Sequence, residues 1–178
     1  MKLGFIGAGN MGSAILKGIL NQNYLQPSDI AVTDKLPHLC AGFAERGVCV
    51  IDNNQDLVRS CDCILLAVKP VYAAEVLAGV YSELEGKFLI SIVAGWTYEM
   101  LEAALPPSAR FVRVMPNTPL SVGEGMSLIS GRCKCSAEEL SFAESIFAEP
   151  ISVCAASLYA IARGTPYRTP PSASASIN

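Results

Sequence analysis

The chain has 178 residues, enough for one domain with a packed core but not for two full domains. Hydrophobic residues make up 51% of the sequence, yet the longest uninterrupted apolar run, residues 63–68, is far too short to cross a bilayer as a helix, which excludes a membrane span. The net charge of −3, from 13 basic and 16 acidic residues with no basic cluster, argues against a nucleic-acid partner.

The first part of the chain alternates short apolar strands with segments of helical spacing. Residues 2–6 are predicted as a strand, residues 7–12 as a glycine-rich turn and residues 13–20 as a helix. The next predicted elements, in order, are a strand over 30–33, a helix over 37–46 that Gly47 stops, a strand over 48–51, a helix over 54–60 and a strand over 63–68. The last is a continuous apolar run, which is typical of a strand covered on both faces.

The same alternation continues to about residue 154. The predicted elements there begin with a helix from Pro70 to about residue 80, a strand over 88–93, a helix capped by Thr97 and ending at residue 104, and a strand over 111–115. They continue with a strand over 126–130, a helix through residue 147 with Ser136 and Glu139 as its capping box, and a strand over 151–154. Residues 1–154 are therefore predicted to form one domain. Residues 155–178 are rich in proline, serine and alanine without an apolar period, and they are predicted to be a divergent, disordered tail.

Strands that alternate with helices predict an α/β fold, doubly wound, with a mainly parallel sheet and helices on both faces. In such folds ligands bind beyond the carboxyl ends of the strands. The functional site is therefore expected on the loops that follow the strands.

The central motif is the G-x-G-x-x-G run from Gly7 through Gly9 to Gly12, which follows a predicted strand and opens a predicted helix. The first glycine allows the tight turn, the second lets the backbone approach a pyrophosphate, and the third lets helix and strand pack closely. Alone the spacing is also compatible with a plain structural turn. In this position, with Asp34 about 20 residues after the last glycine, it predicts a Rossmann-type NAD(P)-binding domain.

The residues after the second predicted strand leave the choice of cofactor open. Asp34 can accept hydrogen bonds from the adenine ribose hydroxyls, which favours NAD, because a carboxylate there repels a 2′-phosphate. Lys35 favours NADP, because an adjacent ammonium can pair with that phosphate. The pair leans towards tolerance of both cofactors, and Asp34 is also compatible with a turn residue that caps the next helix.

Four segments resemble those of pyrroline-5-carboxylate reductases, in the same order and at matching spacing. They are FIGAGNM at residues 5–11, LAVKP at 66–70, SIVAG at 91–95 and RVMPNTP at 113–119. The resemblance covers about the first 150 residues. The second and fourth segments together are specific, because related Rossmann reductases share the glycine motif but not this combination.

The resemblance implies a role for each matching position. The cofactor-binding positions would be Ile6, Gly7, Ala8, Gly9, Asn10, Met11 and Gly12 at the pyrophosphate, Asp34 and Asn54 at the adenosine, Ala67, Val68, Lys69 and Pro70 along the cofactor, and Ala94 and Gly95 near the nicotinamide. The residues lining the substrate would be Met115, Pro116, Asn117 and Thr118, although two prolines around Asn-Thr are also typical of a plain turn.

The reaction implied by the resemblance is the last step of proline synthesis, in which NADH or NADPH delivers a hydride to the carbon of a cyclic imine. The cofactor supplies this chemistry, and the protein supplies orientation and a dry pocket. Lys69 is interpreted as a cofactor or phosphate contact rather than a proton donor, and no residue is assigned as catalytic. A cofactor-binding module without turnover and a related hydroxy-acid dehydrogenase remain the alternatives.

Cysteine and histidine usage adds no site. Two C-x-C pairs, Cys61 with Cys63 and Cys133 with Cys135, are interpreted as buried core residues and as a solvated loop, so no metal is expected. The single histidine, His38, is predicted to lie on the surface. Seven cysteines, an odd number, without a recognisable export signal indicate reduced thiols and a cytoplasmic protein.

The resemblance ends before the helical second domain that carries the dimer interface of this homo-oligomeric family. From about residue 155 the sequence lacks the Ser-Gly-Ser-Gly-Pro-Ala-Tyr region that the family pattern implies. We hypothesise a frame shift or truncation of the coding sequence after about Ser152. An intact homologous reading frame downstream in the gene is the observation that tests this hypothesis.

Overall fold

The computed structural model describes residues 1–116, 125–147 and 151–153. Its strands are β1 (Leu3–Ile6), β2 (Ile30–Thr33), β3 (Cys49–Val50), β4 (Cys63–Leu66), β5 (Phe88–Ser91), β6 (Arg110–Pro116), β7 (Gly125–Ile129) and β8 (Ile151–Val153). Its helices are α1 (Asn10–Asn21), α2 (His38–Ala44), α3 (Asn54–Ser60), α4 (Pro70–Gly79), α5 (Tyr98–Ala104) and α6 (Ala137–Ile146). None of the helices in these ranges is long and apolar enough to cross a membrane.

The strands form one sheet in the order β3-β2-β1-β4-β5-β6-β7-β8. Every pair from β3 to β6 is parallel, β7 runs antiparallel to β6, and β8 is parallel to β7. The order reverses between β1 and β4, which is the point where open α/β sheets leave a crevice beyond the strand ends. The predicted doubly wound, mainly parallel sheet is thereby confirmed.

Helices cover both faces of the sheet. One hydrophobic cluster packs α1, α2 and α6 on one face, and a second cluster packs α3, α4 and α5 on the other. Successive residues of β4 alternate between them, since Cys63 and Leu65 belong to the first cluster and Ile64 and Leu66 to the second. This arrangement explains why β4 is apolar at every position.

Most predicted elements agree with the structure to within a few residues, two differ in an informative way, and one further element was not predicted. Helix α1 begins at Asn10 rather than at residue 13, because the second half of the glycine motif already forms its first turn. Strand β3 has only two residues and lies exposed at the edge of the sheet. A short 3-10 helix over Pro27–Asp29, which was not predicted, leads into β2. The predicted tail, residues 155–178, lies outside the described residues.

Helix α6 is held to the sheet by its own capping residue. The Ser136 side chain accepts a hydrogen bond from the Glu139 backbone N–H, and the Glu139 carboxylate accepts one from the Ser136 backbone N–H, so the predicted capping box is confirmed. The other Glu139 oxygen pairs with Nε of Arg110 on β6 at 2.7 Å. Glu139 is buried, and one side chain therefore serves both the helix start and the helix–sheet contact.

We expect Glu139→Ala to lower the free energy of unfolding by about 2 kcal/mol, because it removes a cap and a charge-assisted hydrogen bond together. Urea unfolding followed by circular dichroism measures the change. Glu138→Ala is the matched control, since Glu138 lies exposed in the same first turn and should change stability much less. Equal effects of the two substitutions would contradict the role given to Glu139.

Candidate functional site

The predicted site residues within the described ranges all lie at one edge of the sheet. The glycine motif follows β1, Asp34 follows β2, Asn54 follows β3, residues 67–70 follow β4, residues 94–95 follow β5, and Met115 and Pro116 end β6. Because these strands are parallel, their carboxyl ends meet at the same edge. The topology thus brings together segments that are far apart in the sequence.

Gly7 makes the turn out of β1 in a conformation that side chains resist. Its φ is +105°, and a Cβ built on it would lie 2.6 Å from the carbonyl oxygen of Ala67. Its N–H donates to the Thr33 carbonyl at 2.9 Å, and the Ala67 N–H donates to the Ile6 carbonyl at 2.9 Å. The turn is therefore packed between the ends of β2 and β4.

Gly9 and Gly12 have opposite surroundings. A Cβ on Gly12 would lie 2.3 Å from the Gly7 carbonyl oxygen and 3.1 Å from the Ala67 Cβ, so the absence of a side chain lets α1 pack against the ends of β1 and β4. A Cβ on Gly9 would meet nothing within 4 Å. The packing of the protein itself thus accounts for Gly12, whereas Gly9 borders open space.

The first turn of α1 has the features of an anion-binding site. Gly9 is the N-cap residue, no side chain caps the helix, and the first turn carries no acidic residue. The first backbone N–H groups of the helix, those of Asn10, Met11 and Gly12, are thus available to an anion in front of them. The Ser13 hydroxyl donates to the Ala8 carbonyl at 2.5 Å and steadies the turn. Sequence reasoning missed Ser13, whose only signal is its place directly after the motif.

Asp34 is joined to the glycine turn directly. One carboxylate oxygen accepts a hydrogen bond from the Ala8 N–H at 2.7 Å, and the other accepts one from the Leu36 N–H at 2.9 Å. The side chain is half-buried. The charge of Asp34 also reaches the buried Cys40 thiol of α2, whose pKa is raised first by burial and second by this carboxylate.

The remaining predicted cofactor positions lie at the same edge of the sheet and differ in exposure. Ala67 and Val68 are half-buried, and Lys69, Pro70, Ala94 and Gly95 are exposed. Asn54, the first residue of α3, is half-buried, and its neighbour Asn53 caps the helix by accepting the Asp56 N–H at 2.8 Å. In the described part of the chain, no hydrogen bond joins Asn54, Ala94 or Gly95 to the glycine motif.

The predicted substrate-lining residues are only partly within the described ranges. Met115 is exposed and Pro116 is half-buried at the end of β6. Asn117 and Thr118 lie outside the described residues. The end of β6 thus brings the start of this loop to the same edge as the glycine motif.

The cysteines give two outcomes. Cys61 and Cys63 are buried, belong to the two different clusters, and have pKa values raised by burial, which confirms them as core residues. The loop predicted for the other pair is confirmed, but it is only partly solvated, since Cys133 and Cys135 are half-buried. Cys133 and Cys135 pack against the first cluster, because the intervening Lys134 pairs with Phe111 of β6, and burial with the Cys133 contact raises the pKa of Cys135 to about 12.

Two predictions remain, the exposed position of His38 and the absence of a metal site. His38 is exposed at the start of α2, as predicted. Within residues 1–116, 125–147 and 151–153, no group of three or more histidine, cysteine, aspartate or glutamate side chains is placed to hold a metal ion.

Comparison with known proteins matches residues 2–95 to the family described as "NADP oxidoreductase coenzyme F420-dependent". A pyrroline-5-carboxylate reductase of Haemophilus influenzae is 43% identical over 126 residues, which are 70% of this chain and 46% of that protein. The structure is similar to a pyrroline-5-carboxylate reductase of Coxiella burnetii (TM-score 0.77, 31% identity, 82% of this chain and 54% of that chain).

A second solved structure with this likeness is a Plasmodium falciparum pyrroline carboxylate reductase with NADP bound (TM-score 0.74, 32% identity, 86% of this chain and 57% of that chain). The chain spans about half the length of the curated relatives it matches.

The different surroundings of Gly9 and Gly12 predict that alanine at Gly12 will affect mainly stability and alanine at Gly9 mainly ligand binding. Gly12→Ala should lower the free energy of unfolding by about 1–3 kcal/mol, because its methyl group meets backbone atoms that must move. Gly9→Ala should leave stability within about 0.5 kcal/mol of the starting protein and should abolish most nucleotide binding, because the methyl group occupies the space that a pyrophosphate would approach.

Thermal unfolding and calorimetric titration with NADH and NADPH measure the two effects on the same preparations. Each variant is the control for the other, since both replace a glycine of the same motif by alanine. Loss of stability in Gly9→Ala, or unchanged nucleotide binding in that variant, would contradict this division of roles.

Proposed function

Because the chain belongs to the "NADP oxidoreductase coenzyme F420-dependent" family and is similar to pyrroline-5-carboxylate reductases, we propose that it binds NAD(P)H and reduces 1-pyrroline-5-carboxylate to proline. The observation that carries the proposal is the uncapped start of α1 behind the open space at Gly9. That combination suits the pyrophosphate of a dinucleotide.

The proposed cofactor site runs along the carboxyl edge of the sheet. The pyrophosphate would lie on the glycine motif, the adenosine near Asp34 and Asn54, and the nicotinamide near Ala94 and Gly95. The residues proposed to line the cofactor between these ends are Ala67, Val68, Lys69 and Pro70. The position of these segments at one edge supports the proposal, because a single extended ligand can contact all of them.

When bound, the reduced nicotinamide supplies the hydride that the imine carbon accepts. The residues of the chain would bind and orient the two reactants and exclude water. Met115 and Pro116, at the end of β6, would border the imine together with Asn117 and Thr118. No side chain is proposed as a proton donor, because an imine that binds in its protonated form already carries the proton that its nitrogen keeps in the amine product.

We further propose a small-molecule imine rather than a nucleic acid as the partner. Five basic side chains are already engaged with carboxylates or backbone carbonyls of the chain, namely those of Arg59, Lys87, Arg110, Arg132 and Lys134. The free thiols of Cys40, Cys61 and Cys63 support a cytoplasmic location. A homo-oligomer, which the family resemblance implies, is also a proposal for this chain.

Oxidation of NADH and of NADPH by the purified 178-residue chain, in the presence of pyrroline-5-carboxylate, tests the proposed reaction. We expect a fall in absorbance of the reduced nicotinamide that depends on the imine and forms proline in equal amount. A 2-hydroxy acid supplied with the oxidised cofactors is the control and should give no turnover. Cofactor binding without imine reduction would leave the chain a nucleotide-binding module and contradict the proposed reaction.

Lys69→Gln tests whether this lysine contacts a phosphate of the cofactor. Lys69 lies exposed just before Pro70, at the carboxyl end of β4. We expect its loss to weaken binding of both cofactors by about fivefold, which corresponds to one charge-assisted contact. Lys17→Gln, on the exposed side of α1, removes the same charge and should leave binding unchanged. Unchanged binding in Lys69→Gln would contradict the phosphate contact.

A further inference from the structure

We infer that the chain selects NADH over NADPH, and that Asp34 is the residue that determines this selectivity. The inference rests on the proposed NAD(P)H-binding function and goes beyond it, because it departs from the NADP that the matched family is named for and that one similar structure holds. It depends on how the structure holds Asp34 and Lys35, the two residues that favour opposite cofactors.

The Asp34 carboxylate is fixed from two sides. Its oxygens accept the Ala8 N–H at 2.7 Å and the Leu36 N–H at 2.9 Å. Ala8 belongs to the glycine turn and Leu36 to the loop between β2 and α2, so neither donor is a mobile side chain. The carboxylate therefore stays at the end of β2 and cannot swing away to make room for another anion.

The hydrogen-bonding capacity that remains suits a ribose and not a phosphate. An ionised carboxylate has about four acceptor positions, of which the two backbone donors use two. The remaining positions can accept the 2′- and 3′-hydroxyl groups of an adenosine ribose, each of which has a proton to donate. A 2′-phosphate at neutral pH has acceptor oxygens and negative charge, so it offers no such donor and is repelled.

Lys35 does not offset this repulsion. Its side chain is exposed, and among the residues that the structure describes no hydrogen bond or ion pair positions its ammonium group. An exposed lysine gains little from pairing with an exposed anion, and salt screens that gain. The fixed carboxylate therefore outweighs the adjacent free ammonium.

Asp34 also has a structural use, and the two roles predict different results. If Asp34 only braces the glycine turn against the β2–α2 loop, its removal would lower stability and weaken the binding of both cofactors alike. If Asp34 determines selectivity, removal of its charge would change the affinity for NADPH, which carries the 2′-phosphate, more than the affinity for NADH. Asp34→Asn removes the charge and also one of the two hydrogen bonds of the brace, because the amide has only one oxygen acceptor. Loss of that hydrogen bond weakens the binding of both cofactors alike, whereas loss of the charge changes the ratio of their affinities.

The test is calorimetric titration of the full 178-residue chain with NADH and with NADPH at near-neutral pH and one salt concentration. We expect the starting protein to bind NADH at least about tenfold more tightly than NADPH. Two like charges held together cost at least the free energy that corresponds to this difference in affinity. Asp34→Asn should reduce this ratio by about tenfold. Asp29→Asn is the matched control, because Asp29 is exposed at the opposite end of β2 and should leave the ratio unchanged.

A preference for NADPH, equal binding of the two cofactors, or binding of neither would overturn the inference. A proportional loss of both affinities in Asp34→Asn, with a lower unfolding temperature, would also overturn it and leave Asp34 a brace only. Lys35→Gln adds a second readout, since a large loss of NADPH affinity in that variant would show that the lysine determines the choice. Binding ratios do not require turnover, so absence of imine reduction contradicts the proposed reaction without affecting this result.

Discussion

The close contact between the start of α1 and the ends of β1 and β4 is the constraint on which the rest of the site depends. The Gly7 carbonyl, the Gly12 backbone and Ala67 approach one another so closely that a single methyl group on either glycine would meet backbone atoms. This contact determines where the helix begins, and the helix start in turn determines where its free N–H groups point. The proposed phosphate site is therefore a consequence of packing.

The same contact lies at the point where the strand order reverses. β1 is flanked by β2 on one side and β4 on the other, so the glycine turn has a neighbouring strand end on each side. The Thr33 carbonyl and the Asp34 carboxylate hold it from the β2 side, and Ala67 packs against it from the β4 side. A turn held in this way reorganises little when a ligand binds, which lowers the entropic cost of binding.

Apolar burial on two faces is what makes this edge rigid. The central strands carry large apolar side chains at successive positions, and helices cover both sides of them. One ion pair, between Arg110 of β6 and the buried Glu139 of α6, also ties a helix to the sheet. The core positions the strand ends, and this ion pair joins α6 to the sheet.

The sequence by itself determined the alternation of strands and helices, the glycine motif and the capping box, because these depend on residues that are neighbours along the chain. Helix α3 and the Ser136–Glu139 capping box follow from such local signals. The sequence could not show that Cys133 and Cys135 pack on the core, since that packing depends on the pairing of Lys134 with Phe111. Nor could it decide between Asp34 and Lys35. Only the tertiary structure brings the Ala8 N–H to the Asp34 carboxylate, because the two residues are 26 positions apart and meet only when β1 and β2 pair.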